Sequence, residues 1–364
     1  MRGIIGYGTY VPYYRLDRSK ITAAMGAGGG RGHRAVAGYD EDTTTMGVEA
    51  ARNALRGSTV TPSSIWFATA NPAYLDKTNA TAIQAALDLP QDTWAVDAGG
   101  AARSAEAAIL GAKGTPGISM AVVSDLRTGN PTSNDESNGG DGAAAVIFGD
   151  DQDAPVLAHT LGFAASTGEF LDRYRLPGDD SSRIWEERFG EQAYLALAED
   201  AIERATKSAN VGMEDIDKVV IAGLHARAVR GLSRIAGDKL VDDLTGRIGN
   251  PGTAQLAVLV ASVLDQAEPG ETILCVHLAD GAYASVMRTT DAIADYTPFA
   301  TVESQIAAGS DNLEYNLYLT WRGFLDREPP RRPDPDRPGA PPTFRSEDWK
   351  YAFVGSRDRA SGAI

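Results

Sequence analysis

The chain has 364 residues, is 43% hydrophobic and 23% charged, and carries a net charge of −15. That length allows one large core or two domains of ordinary size, and the acidic balance argues against nucleic acid or anionic membrane as a partner. A single cysteine excludes an internal disulfide and a cysteine-rich zinc site within one chain, so no metal is expected. The opening MRGIIGYGTYVPYYRL has neither a long apolar segment nor a small-residue cleavage site. No apolar run reaches the roughly 18–20 residues of a membrane helix. A cytoplasmic protein is expected.

In chain order, Gly26 to Gly38 is rich in glycine and basic residues; it lacks Walker spacing and reads as a mobile surface loop. Met46 to Asn71 reads as helix, polar connection and short apolar strand. Gly99 to Asp125 gives a Gly-rich start, an Ala-rich helix, a Pro-Gly break and a buried strand, and GDGAAAVIFGD follows. The same order then returns. Tyr194 to Gly223 is helix and strand, Gly249 to Asp280 is Gly-rich start, helix, break and strand, and ADGAYASVMRTTD again sets Asp-Gly-Ala before an apolar run. Such a repeat predicts two similar α/β halves packed together. Ala-rich helices suit burial on all sides against close neighbours. Beyond the repeat, Arg327 to Pro342 (REPPRRPDPDRPGAPP) excludes helix and central strand, and predicts a linker or an arm lying on another surface.

The stretches GIIGYGTYVPYYRL and DEDTTTMGVEAARNAL (Asp40 to Leu55) resemble the N-terminal signatures of 3-hydroxy-3-methylglutaryl-CoA (HMG-CoA) synthases and, more distantly, of ketoacyl-ACP synthase III, both in the thiolase superfamily. The resemblance covers about residues 1 to 320. It implies a thiolase-like five-layered αβαβα fold of two pseudo-repeated halves, 1–165 and 166–321. It also implies a homodimer and a coenzyme A thioester as substrate, with no other cofactor. That family attacks a thioester with a cysteine thiolate, helped by histidine, asparagine and glutamate. The cysteine sits at the start of the first Ala-rich helix, where backbone N–H groups favour the thiolate.

Carried over residue by residue, the resemblance puts Ala102 at the cysteine position, the fifth residue after Asp97, with Arg103, Ser104 and Ala105 next. The glutamate position falls on Ala70, ahead of Ala73-Tyr74-Leu75-Asp76-Lys77, and the histidine position on Ala222 in VVIAG. The asparagine is retained in Gly249-Asn250. Cys275, within TILCVHL, reads as a small buried hydrophobe rather than a relocated nucleophile.

Three residues are candidates for residual catalysis. Asn250 is a donor to a thioester oxygen, or a turn residue in NPG. His225, three residues past the vacated histidine, is a base or a structural residue at a helix start. Tyr283 in DGAYAS is an acid/base or a packing residue. Gly99, Gly100, Ala102, Arg103, Tyr74 and Gly249 are candidates for binding substrate. The two glycines permit close approach or tight packing, and Arg103 pairs with Asp97, with a substrate carboxylate or across an interface. Asp280 is a weaker candidate; His33 and His159 read as surface residues and His277 as a buried strand residue.

The C-terminal sequence WRGFLDREPPRRPDP, then FRSEDWKYAFVGSRDRASG, resembles the start of zinc-ribbon OB-fold acyl-CoA-binding proteins, without the ribbon cysteines. Residues 322–364 are therefore expected to be a docking arm for such a partner. Its aromatic residues favour ordering against a surface. Nucleophile-lacking thiolase relatives that cleave steroid side-chain CoA esters make a CoA-thioester aldolase, a carbon–carbon lyase acting on a 3-hydroxyacyl-CoA, the leading expectation. A non-catalytic thiolase-fold subunit and an HMG-CoA synthase-like acyltransferase are the alternatives.

Overall fold

The repeated blocks fold as two half-sheets, each with helices on both faces. The structure is a computed structural model and describes residues 2–179, 181–184, 186–328, 331, 332, 336 and 339–362. The first half runs β1 (Gly3–Tyr10), β2 (Tyr14–Asp17), α1 (Ser19–Met25), β3 (His33–Val36), α2 (Thr43–Leu55), β4 (Ser64–Thr69), α3 (Ala80–Ala86), β5 (Trp94–Gly99), α4 (Ser104–Gly114), β6 (Ser119–Leu126), α5 (Asn134–Asn138) and β7 (Asp141–Gly149). The second runs β8 (Ala158–Thr167), β9 (Arg173–Tyr174), β10 (Arg183–Ile184), α6 (Glu187–Ala209), β11 (Lys218–Gly223), α7 (Ala226–Ala236), α8 (Thr245–Ile248), α9 (Gln255–Leu264), β12 (Thr272–Leu278), β13 (Gly281–Thr289), α10 (Val302–Ala307) and α11 (Tyr315–Trp321). Two short helices, α12 (Ala340–Arg345) and α13 (Glu347–Tyr351), follow.

The strands align as β11-β12-β13-β8-β1-β7-β6-β4-β5. Within each half most pairing is extensive, but β1 and β8 meet at one registered pair, Ile4 with Ala158. The assembly is therefore two half-sheets joined at a seam. Helices α2 and α3 cover one outer face, α6 and α7 the other, and α4 and α9 lie between. These are the five layers the resemblance implies.

The composition explains which helices go where. Nine of the ten residues of α9 are buried, and α4 buries Ala105, Ala108 and Ala112, so backbones approach closely in the central layer. Outer helix α2 begins with a reciprocal capping box between Asp42 and Thr45 and buries Met46, Ala50, Ala51 and Ala54 along one face. It presses so tightly on β1 that a Cβ on Gly8 would collide with the Ala54 backbone and lie 2.7 Å from the Ala50 carbonyl oxygen. Gly8→Ala is expected to destabilise the fold by about 1–3 kcal/mol, the cost of overpacking a closed core; chemical denaturation measures it.

Two expectations change. The basic part of Gly26–Gly38 is not loop: His33–Val36 pairs antiparallel with Tyr14–Asp17. Arg34 is fully buried there, because its guanidinium reaches the Glu136 and Arg127 carbonyls, the Tyr318 hydroxyl and Asp141. Arg327 to Pro342 also ends in helix, since α12 starts at Ala340 with Pro341 and Pro342 in its first turn, where a missing N–H costs no bond.

Asp141 is the hub of a buried ion cluster. One oxygen lies 3.4 Å from Arg34 and accepts from the Arg127 N–H at 2.9 Å; the other accepts from the Ala37 N–H at 2.8 Å and from Arg322. Burial pushes the nearby Glu136 carboxyl up in pKa, partly offset by hydrogen bonds from the Thr132 N–H and the Tyr315 hydroxyl. The cluster fastens α11 to β7 and α5. No described helix is long and apolar enough to cross a membrane, and the described residues contain no group of three or more His, Cys, Asp or Glu placed to hold a metal ion.

Candidate functional site

Strand β5 ends at Gly99, and Ala101–Arg103 lead into α4. Ala102 is buried there and its methyl offers no chemistry. Arg103 does not pair with Asp97, one of the three partners left open for it. Its guanidinium donates to the Asp280 carbonyl and, at 2.8 Å, to the Thr167 hydroxyl, and lies 3.4 Å from Glu106, so it ties α4 to the second half. Asp97 instead accepts from the Asn79 and Ala80 N–H groups at 2.6 and 2.8 Å and holds the start of α3.

Ala222 is registered beside His277 on β12, which is registered beside Tyr283 on β13. Paired residues share a sheet face about 4.8 Å apart, so an imidazole lies one strand from Ala222. His277 Nδ1 lies 3.0 Å from Glu106 Oε1, and both groups are buried. By sequence alone His277 is a packing residue and Glu106 goes unnoticed; a carboxylate inside an Ala-rich buried helix is the available signal, since such a group needs a partner. Burial pushes the Tyr283 phenol well above its ordinary pKa, so near neutral pH it donates rather than acts as a base. Burial raises the Cys275 thiol to about 12, which leaves it inert.

Two cavities of about 500 Å³ are present, and the second lies against the start of α4. Asn250, Gly223, Gln255, His225 and Asp172 line the first. Asn250 Nδ2 donates to the Gly223 carbonyl at 2.8 Å and its Oδ1 accepts from the Gly252 N–H at 2.9 Å, leaving one N–H of the amide for a ligand. The peptide beside it bridges to Gly139, and Gly249 has φ +76 with a Cβ position against the Gly139 carbonyl, so only glycine fits. Asp125, fully buried, joins this loop to the end of β4: it accepts from Thr253 at 3.0 and 3.1 Å and from the Ala70 N–H at 3.3 Å. Arg227 and Arg230, on α7, stand at the cavity wall.

The second cavity is lined by Ala101, Leu110, Phe163, Ala165, Tyr283 and Arg103, and is mostly apolar. Asn250 and His225 therefore come together, while Tyr283 faces different space. Of the substrate-binding candidates, Arg103 alone lines either cavity. Tyr74 is 57% exposed, and Gly99 and Gly100 lie at the sheet edge. Asp172, missed in the sequence, stands beside His225 in the first cavity. It sits in a polar loop with no periodicity to single it out.

No family model matches the chain. The hydroxymethylglutaryl-CoA synthase of Pyrococcus furiosus is 31% identical over 335 residues, 88% of this chain and 95% of that protein. That of Methanothermobacter thermautotrophicus is 30% identical over 346 residues, 89% and 99%. Among solved structures, an HMG-CoA synthase complexed with CoA superposes with a TM-score of 0.74 at 17% identity, covering 87% of this chain and 89% of that one. The 3-oxoacyl-(acyl carrier protein) synthase III of Pseudomonas aeruginosa gives 0.65 at 20% identity, covering 79% and 98%. These matches bear out the thiolase-like fold. They overturn the aldolase expectation, because these relatives are named as synthases and not as lyases. They lend nothing to a steroid ester or an OB-fold partner.

Proposed function

The chain belongs to the hydroxymethylglutaryl-CoA synthase family, and from that premise we propose that it binds an acyl-CoA in its first cavity and acts in the acyl-condensing class on a thioester held without a covalent bond. The observation that carries this is the cavity around Asn250, set against the alanines the resemblance assigns to the reactive positions. Asn250 lines a cavity of about 500 Å³, while the resemblance assigns Ala102, Ala70 and Ala222 to the positions of the family's reactive side chains. The Asn250 amide is the donor to the thioester oxygen, in an environment shielded from water where such a bond is strong. Without a thiol the acyl group stays on coenzyme A, so a condensing partner meets the thioester itself.

Coenzyme A carries several phosphate charges, and Arg227 and Arg230 on α7 offer cations at the cavity wall. Arg227 is shared with Glu191 at 3.1 Å, which keeps its side chain turned toward α6. Replacing both arginines by glutamate is expected to weaken acetyl-CoA binding about tenfold or more, with the wild-type affinity falling as salt rises. Isothermal titration at two salt concentrations tests this, and unchanged affinity would remove the α7 face from the proposed site.

Three alanines favour a second reading, a non-catalytic subunit that holds acyl-CoA. Binding without turnover, in the presence of acetyl-CoA and acetoacetyl-CoA together, would select it. Strand β5 lies at the edge of the sheet with Trp94 half exposed; an open edge of this kind supports a homodimer that covers it. The C-terminal arm presents Phe344, Trp349 and Phe353, which supports docking to another protein surface.

A further inference from the structure

His225 closes the start of α7: its Nδ1 accepts from the Ala228 N–H at 3.1 Å. That bond fixes the tautomer. The neutral ring carries its proton on Nε2 and offers only a donor there. Nε2 points at Asp172 Oδ1, 3.9 Å away, too far for a hydrogen bond. The two side chains are 4% and 8% exposed, and neither atom has a hydrogen-bond partner among the described residues. Such pairs of unmet groups are rare in folded proteins and mark places where something else binds.

The space between them is kept clear by Gly190 on α6. A Cβ there would lie 2.8 Å from His225 Nε2 and 2.9 Å from Asp172 Oδ1. Tyr194, one turn further along α6, backs the carboxylate, and Asp172 helps push its phenol up in pKa after burial itself. Both His225 and Asp172 line the first cavity, together with Asn250.

We infer that His225 Nε2 and Asp172 Oδ1 form a donor–acceptor clamp for one alcohol hydroxyl of the bound CoA thioester. The hydroxyl oxygen accepts from Nε2–H and its proton is donated to the carboxylate. A hydroxyl satisfies both groups at once; a carbonyl satisfies only the donor and a methyl neither. This rests on the reading of the first cavity as an acyl-CoA site. Three parts of the ligand carry such an alcohol: the acyl chain of a hydroxyacyl ester, and the pantoyl arm and the ribose of coenzyme A.

The test is calorimetric titration of the full-length protein with butyryl-CoA and with 3-hydroxybutyryl-CoA, in wild type, Gly190→Ala and Asp172→Asn. Gly190→Ala fills the gap, and Asp172→Asn keeps the shape but removes the charge, so it stands if the first variant fails to fold. If the clamp holds an acyl hydroxyl, wild type prefers the hydroxy ester and each variant weakens that ester alone, on the order of tenfold. If it holds a hydroxyl of coenzyme A itself, pantoyl or ribose, each variant weakens both esters alike. Equal, undiminished binding of both esters by folded variants overturns the clamp and leaves acyl-CoA binding standing. No binding of either ester by wild type overturns both.

Discussion

Incubation with acetyl-CoA is expected to leave the mass of the intact protein unchanged, and Ala102→Cys is expected to gain an acyl group. Wild type has no thiol at the start of α4. Its one thiol, Cys275, is sealed within β12 with its pKa raised to about 12. A thiol at 102 would stand ahead of the free N–H groups of α4. These favour the thiolate, which is the reactive form. The change is from no labelling to labelling of most molecules, read by intact-protein mass spectrometry and by an alkylating reagent. An acyl adduct on wild type would sink the proposal of non-covalent action. Turnover is not expected to return with the thiol, because the resemblance puts Ala70 and Ala222 where the family keeps its acid and base.

Replacing Asp141 by alanine is expected to cost about 3–5 kcal/mol of stability, since it strands buried charges without a counter-ion. Arg34 is fully buried and the Arg322 side chain 5% exposed, and both turn to this one carboxylate. The Ala37 and Arg127 N–H groups lose their acceptor in the same step. Asp141→Asn keeps one acceptor oxygen and is expected to fall between alanine and wild type. Thermal and urea unfolding measure both variants, and a loss below about 1 kcal/mol for alanine would mean that the cluster relaxes to water. Because Arg322 follows α11 directly, the same substitution loosens the base of the C-terminal arm.

Much of this architecture was legible in the sequence. The repeat of Gly-rich start, Ala-rich helix and strand announced two halves, and the small side chains of α4 and α9 announced their burial. The assignment of Ala102 and Ala222 to reactive positions rests on the resemblance alone. What was not legible was pairing across the chain. Asp97, close by in sequence, is one of three partners the sequence offers Arg103, but the guanidinium reaches Thr167 and Asp280 in the other half. Glu106 and His277 are 171 residues apart, and nothing local marks either as the other's partner. Tyr283 and His225 are both candidates for catalysis by sequence, yet they line separate cavities.

The seam between β1 and β8 has a further consequence. A strand that slips by one residue turns its whole apolar face toward water, and that error spreads to every strand laddered to it. Here the ladder is interrupted at Ile4 and Ala158, with one registered pair between the halves. A register error in one half therefore has no ladder along which to travel into the other. Each half-sheet proofreads its own alignment, and the central helices bring together two surfaces already set.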